Sequence, residues 1–133
     1  MPLNLAQEPP DLAQEPPDAG LFDTLAEKQA HALNTEGGRS TKNKPTQIRR
    51  FYDELVGWQE RIGGDDAKFK QYEAFIRMLN AKVAYAKGRG LVDDEFERWF
   101  RECIKATTSA KALDHFRLHF EAVLGFLKAL RRD

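Results

Sequence analysis

Pro45-Thr46-Gln47-Ile48-Arg49-Arg50-Phe51-Tyr52-Asp53-Glu54-Leu55-Val56-Gly57-Trp58-Gln59-Glu60-Arg61-Ile62 is the stretch on which the fold class turns. Wound at ~100° per residue, Ile48, Phe51, Tyr52, Leu55 and Ile62 fall within an arc of ~100°, while Arg50, Asp53, Glu54 and Arg61 point away. Gly63-Gly64 supplies a stop. The same period recurs three more times downstream. It predicts a helix over 66–87 with Phe69, Tyr72, Ile76, Leu79 and Val83 inward, broken by Gly88 and Gly90. A helix over 93–106 turns Phe96, Trp99, Phe100, Cys103 and Ile104 inward, and Asp93, Asp94 and Glu95 suit its positive N-terminal end. A last helix, capped by Ser109 and running to Arg131, carries Leu113, Phe116, Phe120, Val123, Leu124 and Leu127 on one face. No run alternates apolar and polar residues as a strand would. The expectation is an all-α fold: a compact helical bundle of four to five helices, with nine Phe and two Trp to fill its core.

Upstream of this bundle the chain changes character. Leu5-Ala6-Gln7-Glu8-Pro9-Pro10-Asp11 is repeated without change as Leu12-Ala13-Gln14-Glu15-Pro16-Pro17-Asp18 and holds four of the six prolines. Pro-Pro removes donors and blocks helix, so residues 1–19 read as a disordered or loosely polyproline-like arm. Two copies are too few for a solenoid; a local duplication or a linear binding motif explains them. Residues 21–34, with Leu21, Phe22, Leu25 and Leu33, read as a short amphipathic helix, and 39–44 as a polar linker. The expected division is an acidic arm and linker over 1–44 and a bundle domain over 45–133. The formal net charge of zero hides an asymmetry: two basic against seven acidic residues give −5 over 1–40, and nineteen against fourteen give +5 over 41–133.

No apolar run is long enough for a membrane span, and the N-terminus lacks the pattern of a secretory signal. With one cysteine an internal disulfide is impossible, and these features together fit a cytoplasmic protein. Catalytic signatures fail one by one. His115 and His119 have the i, i+4 spacing of helical zinc ligands, but Phe116 stands where a zincin needs Glu, and no third ligand is evident. Cys103 sits on an apolar stripe and reads as a small hydrophobe. The carboxylate pairs Asp65-Asp66 and Asp93-Asp94 open helices and read as caps. The Gly-Gly pairs lack the Lys-Ser/Thr of a phosphate loop. No metal and no cofactor is expected, and the chain does not read as an enzyme.

The basic residues carry more information. Arg98, Arg101 and Lys105 stand at i, i+3, i+7, opposite Phe96 and Cys103. Lys82 and Tyr85 lie off the core stripe of their helix, and Arg89 continues their line. Lys42, Lys44, Arg49 and Arg50 gather at the start of the first bundle helix. Lys and Arg near a helix N-terminus suit phosphate, and a tyrosine among cations can stack on a base. The competing reading is a solvated charged face with Tyr85 in a second packing seam.

Three segments together, Pro45 to Asp53, Leu79 to Arg89 and Phe120 to Phe126, resemble the small subunit of type III-A (Csm) CRISPR effector complexes. The family pattern is Thr-x-x-Arg-x-Phe-Tyr, then Lys-x-x-Tyr-Ala-x-x-x-Arg, then Phe-Glu-Ala-x-x-x-aromatic, and the resemblance covers about residues 42–130. It implies a non-catalytic helical subunit stacked in several copies beside the backbone subunits and under the large subunit. It also implies contact with guide RNA and target RNA, in antiviral defence. By position, Arg49, Lys82, Tyr85 and Arg89 match the family's polar motif residues; Arg50, Arg98, Arg101 and Lys105 are added from helical geometry. The competing function is a helical adaptor that binds protein and no RNA. The acidic repeat arm lies outside the resemblance.

Overall fold

A computed structural model describes residues 10–131. Six α-helices follow one another: α1 (Thr24–Leu33), α2 (Pro45–Ile62), α3 (Asp66–Arg77), α4 (Leu79–Gly88), α5 (Asp94–Ala106) and α6 (Ala110–Arg131), with single 3-10 turns at Ala19–Phe22 and Thr35–Gly38. No described residue lies in a strand, and no described helix is long and apolar enough to cross a membrane. The all-α bundle expected from the periodicity is the observed fold.

The helix ends follow local chemistry. Pro45 opens α2, where its missing N–H costs nothing. Gly63 closes α2 at φ +56°, its N–H bonded to Gln59 O at 2.9 Å, a left-handed position that favours glycine. Asp65 Oδ1 accepts from the Ala67 N–H at 2.8 Å, Asp93 Oδ1 from Phe96 at 3.0 Å and Ser109 Oγ from Ala112 at 3.1 Å. Asp66 reaches across the fold and accepts from the Ala110 N–H at 2.9 Å, tying the start of α3 to that of α6.

One helix differs from its prediction. The expected 66–87 helix is split at Met78, whose carbonyl accepts a tight i, i+3 bond from Ala81 at 3.0 Å. No Gly or Pro marks this place. The break lets α3 lie against α2 and α5 while α4 follows α5. Ile76 and Leu79, on either side of it, are both buried.

The core centres on α5 and α6. Phe96, Phe100, Phe116 and Phe120 are all fully buried, and Trp99 meets Phe120 edge-on at 5.1 Å between ring centroids. From α2, Phe51 packs on Phe96 at 5.7 Å and Tyr52 meets Phe120 at 5.5 Å. The Tyr52 hydroxyl donates to Glu121 Oε1 at 2.8 Å, so two of the motif segments quoted above meet in one clasp. Burial, then the Glu121 hydrogen bond, raises the Tyr52 pKa and keeps this donor protonated.

The segment before α2 is built in more firmly than its sequence announces. Helix α1 packs along α6 and buries Ala26, Ala30 and Leu33. The expected disorder of residues 1–9 lies outside the described residues. From Pro10 onward the chain lies on the bundle, with Leu12 wholly buried in the common core. Residues 10–19 therefore differ from the loose arm read from their prolines. The reason is a set of side-chain anchors on α6. His115 Nδ1–H donates to Leu12 O at 2.8 Å, and His119 Nδ1–H to Leu21 O at 2.7 Å. Arg131 donates from Nη1 to Lys42 O at 2.9 Å and from Nη2 to Ser40 O. Asn43, fully buried at φ +60°, donates to Leu33 O at 3.2 Å and accepts from the Asp93 N–H at 3.1 Å, so the linker is a knot between α1 and α5.

His119 also accepts from Trp99 Nε1–H at 3.2 Å, so both ring nitrogens are committed and the ring is neutral. Burial pushes its pKa from 6.5 down to about 4. Between those values the unfolded chain binds the extra proton and the folded chain does not, so stability falls as pH drops through this window. The loss should approach ~3 kcal/mol near pH 4. Thermal melting from pH 7 to 4.5 should show the slope in the native chain and a flatter one in His119→Asn. An equal slope in both would assign the acid sensitivity to other groups.

Candidate nucleic-acid interface

The eight basic and aromatic residues singled out from the sequence do not form one patch. Four of them meet. Helices α2 and α4 enclose an open groove of about 530 Å³ lined by Arg50, Lys82, Tyr85 and Arg89, with Glu54 as its one acidic residue. Its floor is apolar, from Phe51, Ala86 and Leu91. Tyr85 is 68% exposed, and the Arg89 guanidinium lies 5.8 Å from its ring centre. Lys82 pairs with Glu54 across the groove, which holds the lysine over the floor. Three cations against one carboxylate leave the groove positive.

Arg49 faces the other flank of α2. It lies 5.8 Å from the Tyr52 ring centre and 3.7 Å from Asp53, and lines a second groove of about 470 Å³ between α2 and α6 with Arg117, Glu121 and Lys128. Neighbours on a helix point ~100° apart, so Arg49 and Arg50 part company. Arg98, Arg101 and Lys105 lie on α5, apart from both grooves. Two of these are engaged on their own helix: Arg98 with Glu95 at 3.0 Å and Arg101 with Glu97 at 3.5 Å.

The residues weighed for catalytic roles are engaged in packing and hydrogen bonds. Cys103 is fully buried, and burial raises its thiol pKa well above the ordinary range, so the nucleophilic thiolate is disfavoured. His115 and His119 spend their Nδ1 atoms on backbone carbonyls. No cluster of three metal-ligating side chains occurs among the described residues.

Sequence reasoning missed part of this surface. Phe75 and Met78 are 49% and 54% exposed, and Phe75 stacks on Trp58 at 5.7 Å, with Arg61 lying 5.4 Å from the indole. Together with Lys82, Tyr85 and Arg89 these two residues repeat at spacings of three and four, a second stripe one residue behind the core stripe. That spacing was the available signal.

No curated protein and no solved structure matches the chain. The family model for Csm2 Type III-A matches residues 19–133, from the turn before α1 onward. That match spans the bundle, the α2–α6 clasp and both grooves. The chain therefore belongs to the Csm2 Type III-A family, the small subunits of type III-A CRISPR effector complexes.

Proposed function

We propose that this subunit contacts the guide RNA–target RNA region of its effector complex through the α2/α4 groove. The observation that carries the reading is the convergence of Arg50, Lys82 and Arg89 around an exposed Tyr85 on an apolar floor. Cations there neutralise backbone phosphates and release counterions, while Tyr85 offers a ring to a base or sugar. Base pairing within the guide–target duplex supplies sequence selection, so the protein needs only charge and shape. Arg49 on the α2/α6 side, and Arg101 and Lys105 on α5, extend the proposed contacts to neighbouring phosphates. Arg98 contributes least, since its charge is met by Glu95. The role is structural and electrostatic rather than catalytic. Each copy touches few phosphates, so isolated affinity is weak, and stacked copies beside the backbone and large subunits add through effective concentration.

A second reading, a helical adaptor without RNA contact, draws on the exposed Phe75 and Met78, which suit a protein partner. Tagging the chain in its native host and analysing what co-purifies separates the two. A large particle holding short guide RNAs is the expected result. The chain with one protein and no RNA would put the adaptor first.

A further inference from the structure

The surface of α6 that holds the N-terminal segment is a built site, and its occupant comes from a duplicated sequence. Leu12 is 0% exposed, and its carbonyl accepts from His115 Nδ1–H at 2.8 Å. Glu15 stands 4.0 Å from both Lys111 Nζ and His115 Nε2. Asp18 Oδ1 accepts from the Gly20 N–H at 3.0 Å and starts the turn that leads to Leu21. What α6 meets within residues 12–18 is thus a leucine, its carbonyl and a glutamate at fixed spacing. Residues 5–11 carry the same groups in the same order, as Leu5 and Glu8. The likeness reaches one step further. Asp11 Oδ1 accepts from the Ala13 and Gln14 N–H groups, each at 3.2 Å, and Asn4 occupies the matching place before Leu5. Asparagine closes the same turn.

We propose that this α6 cradle is a binding site for the seven-residue unit, and that Leu5–Asp11 exchanges for Leu12–Asp18 in it by a change of register within one chain. Within the unit, every group that α6 touches is identical in the two copies; just before it, the buried Pro10 has Leu3 as its counterpart and favours the resident register. The exchange places Leu5 and Glu8 where Leu12 and Glu15 stood and loops out the residues between Glu8 and Ala19. The entropy of closing such a loop rises only with the logarithm of its length. The register with Leu12 docked is the major one, and the other takes over when Leu12 is made unfit. The family match begins at residue 19, so this device lies outside the region that the family accounts for.

Thermal melting of the full chain tests it with Leu5→Asp, Leu12→Asp and the double variant. Leu5→Asp should melt within about 1 °C of the native chain, because the resident leucine is untouched. Leu12→Asp should lose only about 5 °C, because Leu5 replaces it, and the double variant should lose roughly twice that. Deleting residues 5–11 leaves one intact unit and should change the melting temperature by less than about 2 °C. The proposal is overturned if Leu12→Asp melts with the double variant or fails to fold. It is also overturned if the deletion is as damaging as the double variant, or if Leu12→Asp gains stability by dimerising, which sedimentation would show as exchange between chains.

Discussion

Phe120→Ala should lower stability by about 3–5 kcal/mol and the melting temperature by roughly 10–20 °C. Phe120 is fully buried and stands at the hub of the core: its ring lies 5.1 Å from Trp99, 5.5 Å from Tyr52 and 5.8 Å from Phe116. These neighbours come from three helices, so the space left by the ring cannot close by a small shift of any one of them. Small domains have about 5–15 kcal/mol in total, so the variant keeps little reserve. Phe75→Ala is the control. Phe75 is about half exposed, and its loss should cost under ~1 kcal/mol. Calorimetry showing similar losses for the two would mean that the aromatic core is not what holds α2 to α5 and α6.

Replacing Arg50, Lys82 and Arg89 together by alanine should weaken binding to a guide–target RNA duplex by roughly tenfold or more near physiological salt. The slope of log affinity against log salt should flatten by about 2–3 units, one contact at a time. Folding should hardly change. Lys82 gives up one partly exposed ion pair with Glu54, and such pairs are worth about 0–1 kcal/mol. Arg49→Ala should produce a smaller, separable effect, because Arg49 lines the other groove. A triple variant with native affinity and native salt slope would remove the α2/α4 groove from the account. A triple variant that melts far below the native chain would show that the groove is a packing seam.

How far the sequence could be read depends on the kind of signal. The bounds of α2 follow from Pro45, the apolar stripe and Gly63, and the structure places them there. The split at Met78 had no such marker, because it follows from which helices α3 and α4 lie against, not from local preference. The burial of Leu12 was hidden for the opposite reason: the prolines around it speak for an extended, unattached chain. Its anchor, His115, is over a hundred residues away. Asn43 reads as linker polarity until its two hydrogen bonds are seen. For the candidate site, helical spacing put Lys82, Tyr85 and Arg89 on one line, and all three line the α2/α4 groove. It could not show that Arg50 joins them across the groove while Arg49 turns away, since that depends on how α2 is rotated against α4 and α6.

The most direct test of RNA contact at the α2/α4 groove is a photo-crosslink from position 85 in the assembled complex. With Tyr85→benzoylphenylalanine in the full chain, irradiation should yield an adduct between this subunit and the guide or target RNA, and mapping should place it in the paired region. Adducts to protein alone, from a complex that still holds its RNA, would contradict the account and leave the groove as a protein-docking surface.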